Sequence, residues 1–392
     1  MKNLKKILLL ILVTSLFNRC TDHVDYEAIE GYQITSEIYF QQEADYDAAL
    51  VGTYDVLQWL FFNIQLGAIA SEITLCGGES ATDYIGIQQI DDMTHYPENN
   101  VLRQIWQFLY EGVNRANYME ENKANIDFEG KEAMYGEVYF LRAYYYFELV
   151  KFFGDVPLFT EARLTAGQAG TLTRTPKDEV YAQIELDLQN AIASLPNSQS
   201  QVGRVNKYTA YALLGKVLLY QDKFAEAASA LDNVIGVYSL VSDYGSQFLR
   251  FGENGPESVF EIQYSNQSNW YDWGCAHCSE GNYAIIMNGP RGWSGPEYAQ
   301  GWSFNVPTEE FYNSFEEGDS RRDATVLDIE AFAAATGASY TEGYDHTGYF
   351  NNKYIPRAGE SGGQTELNYL TNFRIIRSVS YTHLTLPTNR EV

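Results

Sequence analysis

The sequence predicts a mainly α fold: a scaffold of helix pairs, tetratricopeptide-like in its clearest part, followed by an irregular, loop-rich region. Three observations predict it. Apolar residues recur at helical spacing through most of residues 45–235, and a helical hairpin is legible at 206–235. Beyond about residue 240, Gly, Asn, Ser and aromatic residues dominate and strand-like pieces are short.

The N-terminus comes first. Lys2, Lys5 and Lys6 precede an apolar run from Ile7 to Phe17. As a helix that run spans roughly 16 Å, about half a hydrocarbon core, so residues 1–19 read as an export signal and not a membrane span. Cys20 follows where a bacterial lipoprotein carries the cysteine acylated after cleavage. Asn18 and Arg19 are larger than the residues preferred there, so plain secretion stays open as the alternative.

Residues 45–60 place Ala48, Ala49, Gly52, Val56 and Leu60 at helical spacing, and 101–120 repeat the pattern through Ile105, Leu109, Val113 and Ala116. Residues 132–153 are apolar nearly all round, with Gly136 and Ala143 permitting close approach. They predict a helix buried among others that stops at Gly154, with Pro157 beyond. Thr175 as cap, Pro176 at the first helical position and Asp178 closing a capping box predict the next helix. Its Val180, Ile184, Leu188 and Ile192 share a face, and Leu195–Pro196 ends it. In the hairpin, Leu213, Leu214, Val217 and Leu218 run outward, Gln221–Lys223 turn, and Ala227, Ala228, Leu231 and Ile235 return. Only this unit matches the repeat pattern well. A strand is predicted at Ser258–Tyr264.

Composition narrows the function. The 392 residues carry 26 Lys and Arg against 52 Asp and Glu, a net charge of −26, which makes a poor general binder of nucleic acid or anionic lipid and excludes nucleic acid as the main partner. Aromatic residues make up 15% of the chain, a content suited to semi-apolar recognition surfaces as well as to cores. Residues 265–305 hold Trp270, Trp273, Trp293 and Trp302, four of the six tryptophans, with Tyr271, Tyr283 and Tyr298.

Several stretches in order resemble the SusD/RagB family of outer-membrane nutrient-binding lipoproteins of Bacteroidetes. They are ITSEIYFQQEADYDAALVGTYDVL at 34–57, VNRAN at 113–117 with Trp106 and Tyr110, and GEVYFLRAYYYFELVKFFGDVPL at 136–158. TPKDEVYAQIELDLQNAIASLP at 175–196, GRVNKYTAYALLGKVLLY at 203–220, ESVFEIQY at 257–264 and VPTEEFYNSFEEGDSRRDAT at 306–325 follow. The resemblance implies four tetratricopeptide-like helix pairs: a helical region over 20–240 and the start of a C-terminal ligand-binding region over 241–378. It also implies a lipid-anchored, surface-exposed outer-membrane protein without catalytic activity or cofactor. Such a protein captures oligosaccharide or another nutrient and delivers it to a partner SusC-like TonB-dependent transporter. In the family a Tyr-Ala-Glu-containing helix follows a segment like NFRIIR at 372–377. Here residues 379–392 resemble a translated sequencing adapter, so they are set aside and a native C-terminal part is expected beyond Arg377 or Ser378.

The residues agree with a sugar ligand, whose apolar C–H faces pack on rings while its hydroxyls need amides and carboxylates. The candidate platforms are Trp270, Tyr271, Trp273, Trp293 and Tyr298, with Asn269 and Asp272 as polar partners and Tyr84 from the 77–96 loop. Each competes with a plainer role as a core plug. Cys275 and Cys278 suit a local disulfide pinning the aromatic loop, which an exported chain favours, with free thiols or metal and redox use as alternatives. A structural metal site would need further ligands, and none has the spacing, so no metal is expected. Asp319, Arg321 and Arg322 read as an ion pair fixing the Gly318 turn. H-E-x-x-H, G-x-S-x-G, P-loop and dinucleotide motifs are missing from the sequence. The competing readings are a tetratricopeptide scaffold for protein–protein assembly at the outer membrane and a secreted glycoside hydrolase.

Overall fold

In the computed structural model, residues 39–267, 275–361 and 369–377 are described. The export signal, Cys20 and the adapter-like tail lie outside them. The longest elements form where apolar side chains recur every three to four residues. The chain divides into two units, Met1–Tyr46 and Asp47–Val392. In the first, the Asp45 carboxylate accepts the backbone N–H groups of Gln41 and Gln42, each at 3.0 Å. These bonds, Gln41's foremost, hold its pKa below the ordinary value at the start of helix α1 (Glu43–Asp55).

In the second unit a 3-10 turn, Val56–Trp59, leads to α2 (Phe62–Ile69), β1 (Thr74–Gly77) and α3 (Ile85–Asp91). The scaffold proper is α4 (Asn100–Glu121), α5 (Lys131–Phe153), α6 (Lys177–Ser194), α7 (Lys207–Leu219) and α8 (Phe224–Leu231). Asn99 caps α4 by accepting from Val101 and Leu102 N–H at 3.0 and 3.1 Å. Helix α5 is buried on all sides through Phe140, Tyr144, Tyr145 and Phe147, and ends at Gly154, whose φ of 67° suits glycine. A Cβ on Gly112 of α4 would sit 2.5 Å from the Tyr145 ring, so this glycine sets how closely α4 and α5 approach. A buried ion pair crosses the helices. Arg142 of α5 donates twice to Asp187 of α6, both at 2.8 Å, and also to Asn117 Oδ1 of α4 and the Thr160 carbonyl.

Helix α6 starts differently from the expectation. Thr175 is not its cap, because its N–H and C=O pair with Val156 at 3.0 and 3.2 Å. Pro176 takes the cap position without a side-chain bond, and Asp155 Oδ1 accepts the Lys177 N–H at 2.8 Å. The cap is thus supplied from the preceding loop, which the local sequence pattern does not encode. The α7–α8 hairpin forms as predicted, capped by Asn206 with Thr209 closing the box. It ends at Leu231 instead of Ile235, since Asn233 Nδ2 donates to the Ser229 and Ala230 carbonyls at 3.0 and 3.2 Å and takes up the last helical acceptors.

Beyond α8 the elements shorten. They include β2 (Ser258–Ile262), α9 (Tyr283–Met287), β3 (Arg291–Ser294), β4 (Phe304–Pro307) and β5 (Val326–Asp328). Next come α10 (Ile329–Thr336), β6 (Ser339–Thr341), β7 (Tyr349–Asn351) and β8 (Phe373–Arg377). The strands form two-stranded antiparallel sheets, β1–β4, β2–β8, β3–β6 and β5–β7. Val306, Leu327, Ile329, Phe350 and Ile355 make a core beneath them. The Gly318 turn is fixed as expected, Asp319 accepting from the Arg321 N–H and Nε, each at 2.9 Å. No described helix is long and apolar enough to cross a membrane.

Two outcomes follow from these contacts. Asp187→Ala leaves a buried guanidinium unpaired and should lower the unfolding free energy by about 3–5 kcal/mol in urea titration, whereas Arg142→Met with Asp187→Leu should recover most of it. The Arg321 hydrogen bonds hold the Asp319 carboxyl down to about 2 against an ordinary 3.8. Its contribution to stability is therefore present above 3.8 and lost as pH falls towards about 2. Carboxyl NMR showing Asp319 titrating at an ordinary carboxylate value would remove this account.

Candidate functional site

Three segments of the loop-rich region are knitted around Gly78. Its N–H donates to the Ser303 carbonyl at 2.7 Å, and its own carbonyl accepts from the Tyr344 N–H at 2.9 Å. Gly77 and Gly78 have φ of 71° and 103°, and a Cβ on Gly77 would fall 2.2 Å from the Ser303 oxygen, so only glycine fits this crossing. From there the loop to α3 is clamped onto β3. Asp83 Oδ2 accepts from the Glu79 N–H and from Arg291 Nη2, both at 2.8 Å, with Glu79 also 3.7 Å from Arg291 Nη1.

This clamp brings together the segments of two candidates named from the sequence, Tyr84 and Trp293. Tyr84 follows Asp83 directly and adopts φ 50°, a left-handed conformation that is uncommon for a ring-bearing residue. Its ring is partly buried, 6.3 Å from Phe304, and burial pushes its phenol pKa up. Trp293 lies two residues beyond Arg291 on β3 and is likewise half-buried, edge-on to Tyr298 at 6.0 Å and tilted against Phe332 at 6.0 Å. Its indole Nε1 is buried without a hydrogen-bond partner among the described residues.

Tyr298 is only 5% exposed and belongs to the core cluster, with Arg357 over its ring at 5.3 Å and Phe332 edge-on at 5.1 Å. Its place is beneath Trp293, as packing. Trp302 is also packed, against Tyr283 at 5.5 Å. Asn269, Trp270, Tyr271, Asp272 and Trp273 lie outside the described residues.

What flanks that run is defined. The Ser265 N–H donates to the Glu280 carbonyl at 2.8 Å, and Cys275 and Cys278 are joined in a disulfide with Cα atoms 5.3 Å apart. His277, inside the disulfide turn, packs against the touching pair Trp59 and Phe108, each ring centroid 5.2 Å away. The turn is thereby docked on the helical scaffold. The two sulfurs and the imidazole lie within 4.8 Å of one another, but sulfurs joined to each other are not thiolate ligands.

The electrostatics are acidic. Burial raises the carboxyl pKa of Asp91, and of Asp345, with the charge of Asp92 adding to both. Burial, reinforced by Asp91, Asp345, Asp83 and Asp92, keeps the Cys76 thiol protonated. A surface with this field favours neutral ligands over anionic ones. The Arg291 clamp and the His277 dock escaped the sequence reading, because their partners lie 208 residues away for Asp83 and far upstream for Trp59.

Comparison with known proteins bears on the family and the fold. A family model described as starch-binding, associating with the outer membrane, matches residues 71–219. SusD-like protein P2 of Formosa agariphila is 29% identical over 361 residues, 86% of this chain and 69% of its own length. Among solved structures, a laminarin binding SusD-like protein is 34% identical with a TM-score of 0.82, covering 88% of this chain and 80% of the other. Surface glycan-binding protein A from Bacteroides thetaiotaomicron, in complex with laminarihexaose, is 27% identical with a TM-score of 0.77, covering 86% and 76%. With the helix-pair scaffold and the likeness to the first of these structures over most of both chains, this protein belongs to the SusD/RagB family.

Proposed function

We propose that this chain is a non-catalytic surface glycan-binding lipoprotein that captures a neutral β-glucan of the laminarin type and passes it to a SusC-like TonB-dependent transporter. The observation that carries the reading is its likeness to a laminarin binding structure over most of both chains. The acidic field around Asp83, Asp91 and Asp345 supports a neutral ligand. Tyr84 and Trp293 supply ring faces held in register by the Arg291–Asp83 bond. The run Asn269, Trp270, Tyr271, Asp272 and Trp273 adds further platforms and polar partners, with the Cys275–Cys278 turn as its footing. Cys20 carries the lipid anchor. Tyr298 acts through the packing of Trp293.

Calorimetry with laminarin tests this. Wild type should bind saturably and release no shorter sugars. Trp293→Ala and Tyr84→Ala should each weaken binding by about tenfold or more, the loss expected of a ring at the centre of an interface. Arg291→Gln should weaken laminarin similarly while the melting curve stays cooperative, because it frees the 79–84 loop without touching the core. Absence of laminarin binding by folded wild type, or product formation, would sink the reading.

A further inference from the structure

A cavity of about 210 Å³ is lined by the C-terminal half of α5, by α7 and by β8. Glu148, Lys151, Lys216, Tyr144, Phe152 and Phe373 form much of its wall. Glu148 is 2% exposed and uses one oxygen only: Oε1 lies 2.8 Å from Lys151 Nζ, while Oε2 is buried without a hydrogen-bond partner among the described residues. Lys216 makes no ion pair among the described residues. Its ammonium lies 5.9 Å from the centre of the Phe147 ring, and burial together with the charge of Lys151 depresses its pKa against the opposing charge of Glu148. Two lysines against one glutamate make this wall locally cationic in a chain of net charge −26.

Both polar groups are short of a partner of a definite kind. A half-buried cation without a direct ion-pair partner and a buried carboxylate oxygen without a donor each weaken the fold unless something supplies the missing bond. The complement is one molecule with a carboxylate for Lys216 and a hydroxyl donor for Glu148 Oε2. Tyr144, Phe152 and Phe373 offer ring surface to its apolar face. The volume is below that of pockets for larger organic ligands, about 300–1,000 Å³, and suits a single ring. We propose that this cavity binds a hydroxycarboxylate of one-ring size, a sugar acid being the class that matches every group. Its preference is thus opposite in charge to that of the acidic surface around Asp83.

The test is calorimetry and ligand-observed NMR on the full chain with D-glucuronate, D-glucose and acetate. Glucuronate should bind saturably, with glucose and acetate each at least about tenfold weaker, since each lacks one of the two matching groups. Lys216→Met should weaken glucuronate by about tenfold or more while laminarin binding stays at the wild-type level. The proposal is overturned if glucuronate binds no better than glucose, or if folded Lys216→Met binds it as wild type does. Should Lys216→Met fail to fold, Glu148→Gln decides: weakened glucuronate binding supports the site, and unchanged binding overturns it. Loss of laminarin binding alone, with glucuronate retained, speaks against the glucan reading and leaves this site supported.

Discussion

The fold turns on one buried ion pair. Arg142 and Asp187 are 5% and 1% exposed at their side chains, and the guanidinium also reaches Asn117 and the Thr160 carbonyl. Three helices and the strand-like segment after α5 therefore meet at one planar group, which tolerates little displacement because its donors are fixed in a fork. Around it the packing is close. Gly112 admits the Tyr145 ring, Gly136 lets Leu195 approach and Gly215 receives Leu231, so the helix spacing is set by hydrogen atoms where side chains would otherwise stand. A scaffold this determined can carry loops whose own packing is poor.

The loop-rich region is attached to that scaffold by discrete ties instead of by a large sheet. Its strands pair only in twos. Gly78 joins the Ser303 and Tyr344 backbones, Arg291 joins β3 to the loop ending at Tyr84, and His277 docks the disulfide turn on Trp59 and Phe108. Arg374 and Glu261, 2% and 0% exposed at their side chains, cross-link β8 to β2. A region built this way keeps its segments in register while the residues between ties remain open to change. That suits a binding role in which the ligand is selected by loop geometry.

Charge divides the molecule in the same manner. Asp83, Asp91, Asp92 and Asp345 gather around Cys76, whereas Lys151 and Lys216 form a small basic island against α5 and α7. Neither grouping is visible in the net charge, because each depends on residues far apart in the chain.

Much of the scaffold was legible from residue order alone. The apolar spacing of α4, the all-round apolar character of α5, its Gly154 stop and the α7–α8 hairpin are local properties, written within one or two turns of helix. The cap of α6 was misread because Thr175 spends its backbone on Val156 and Asp155 supplies the acceptor. The ring candidates show the same division. The sequence by itself determined that four of the six tryptophans fall within residues 265–305 and that so acidic a chain is a poor partner for nucleic acid. Only the tertiary structure decided that Tyr298 is core, that the Arg291–Asp83 bond ties the segments carrying Trp293 and Tyr84, and that His277 is a dock. Whether a ring plugs a core or faces a ligand depends on what is packed over it, and those neighbours come from distant positions that spacing along the chain does not encode.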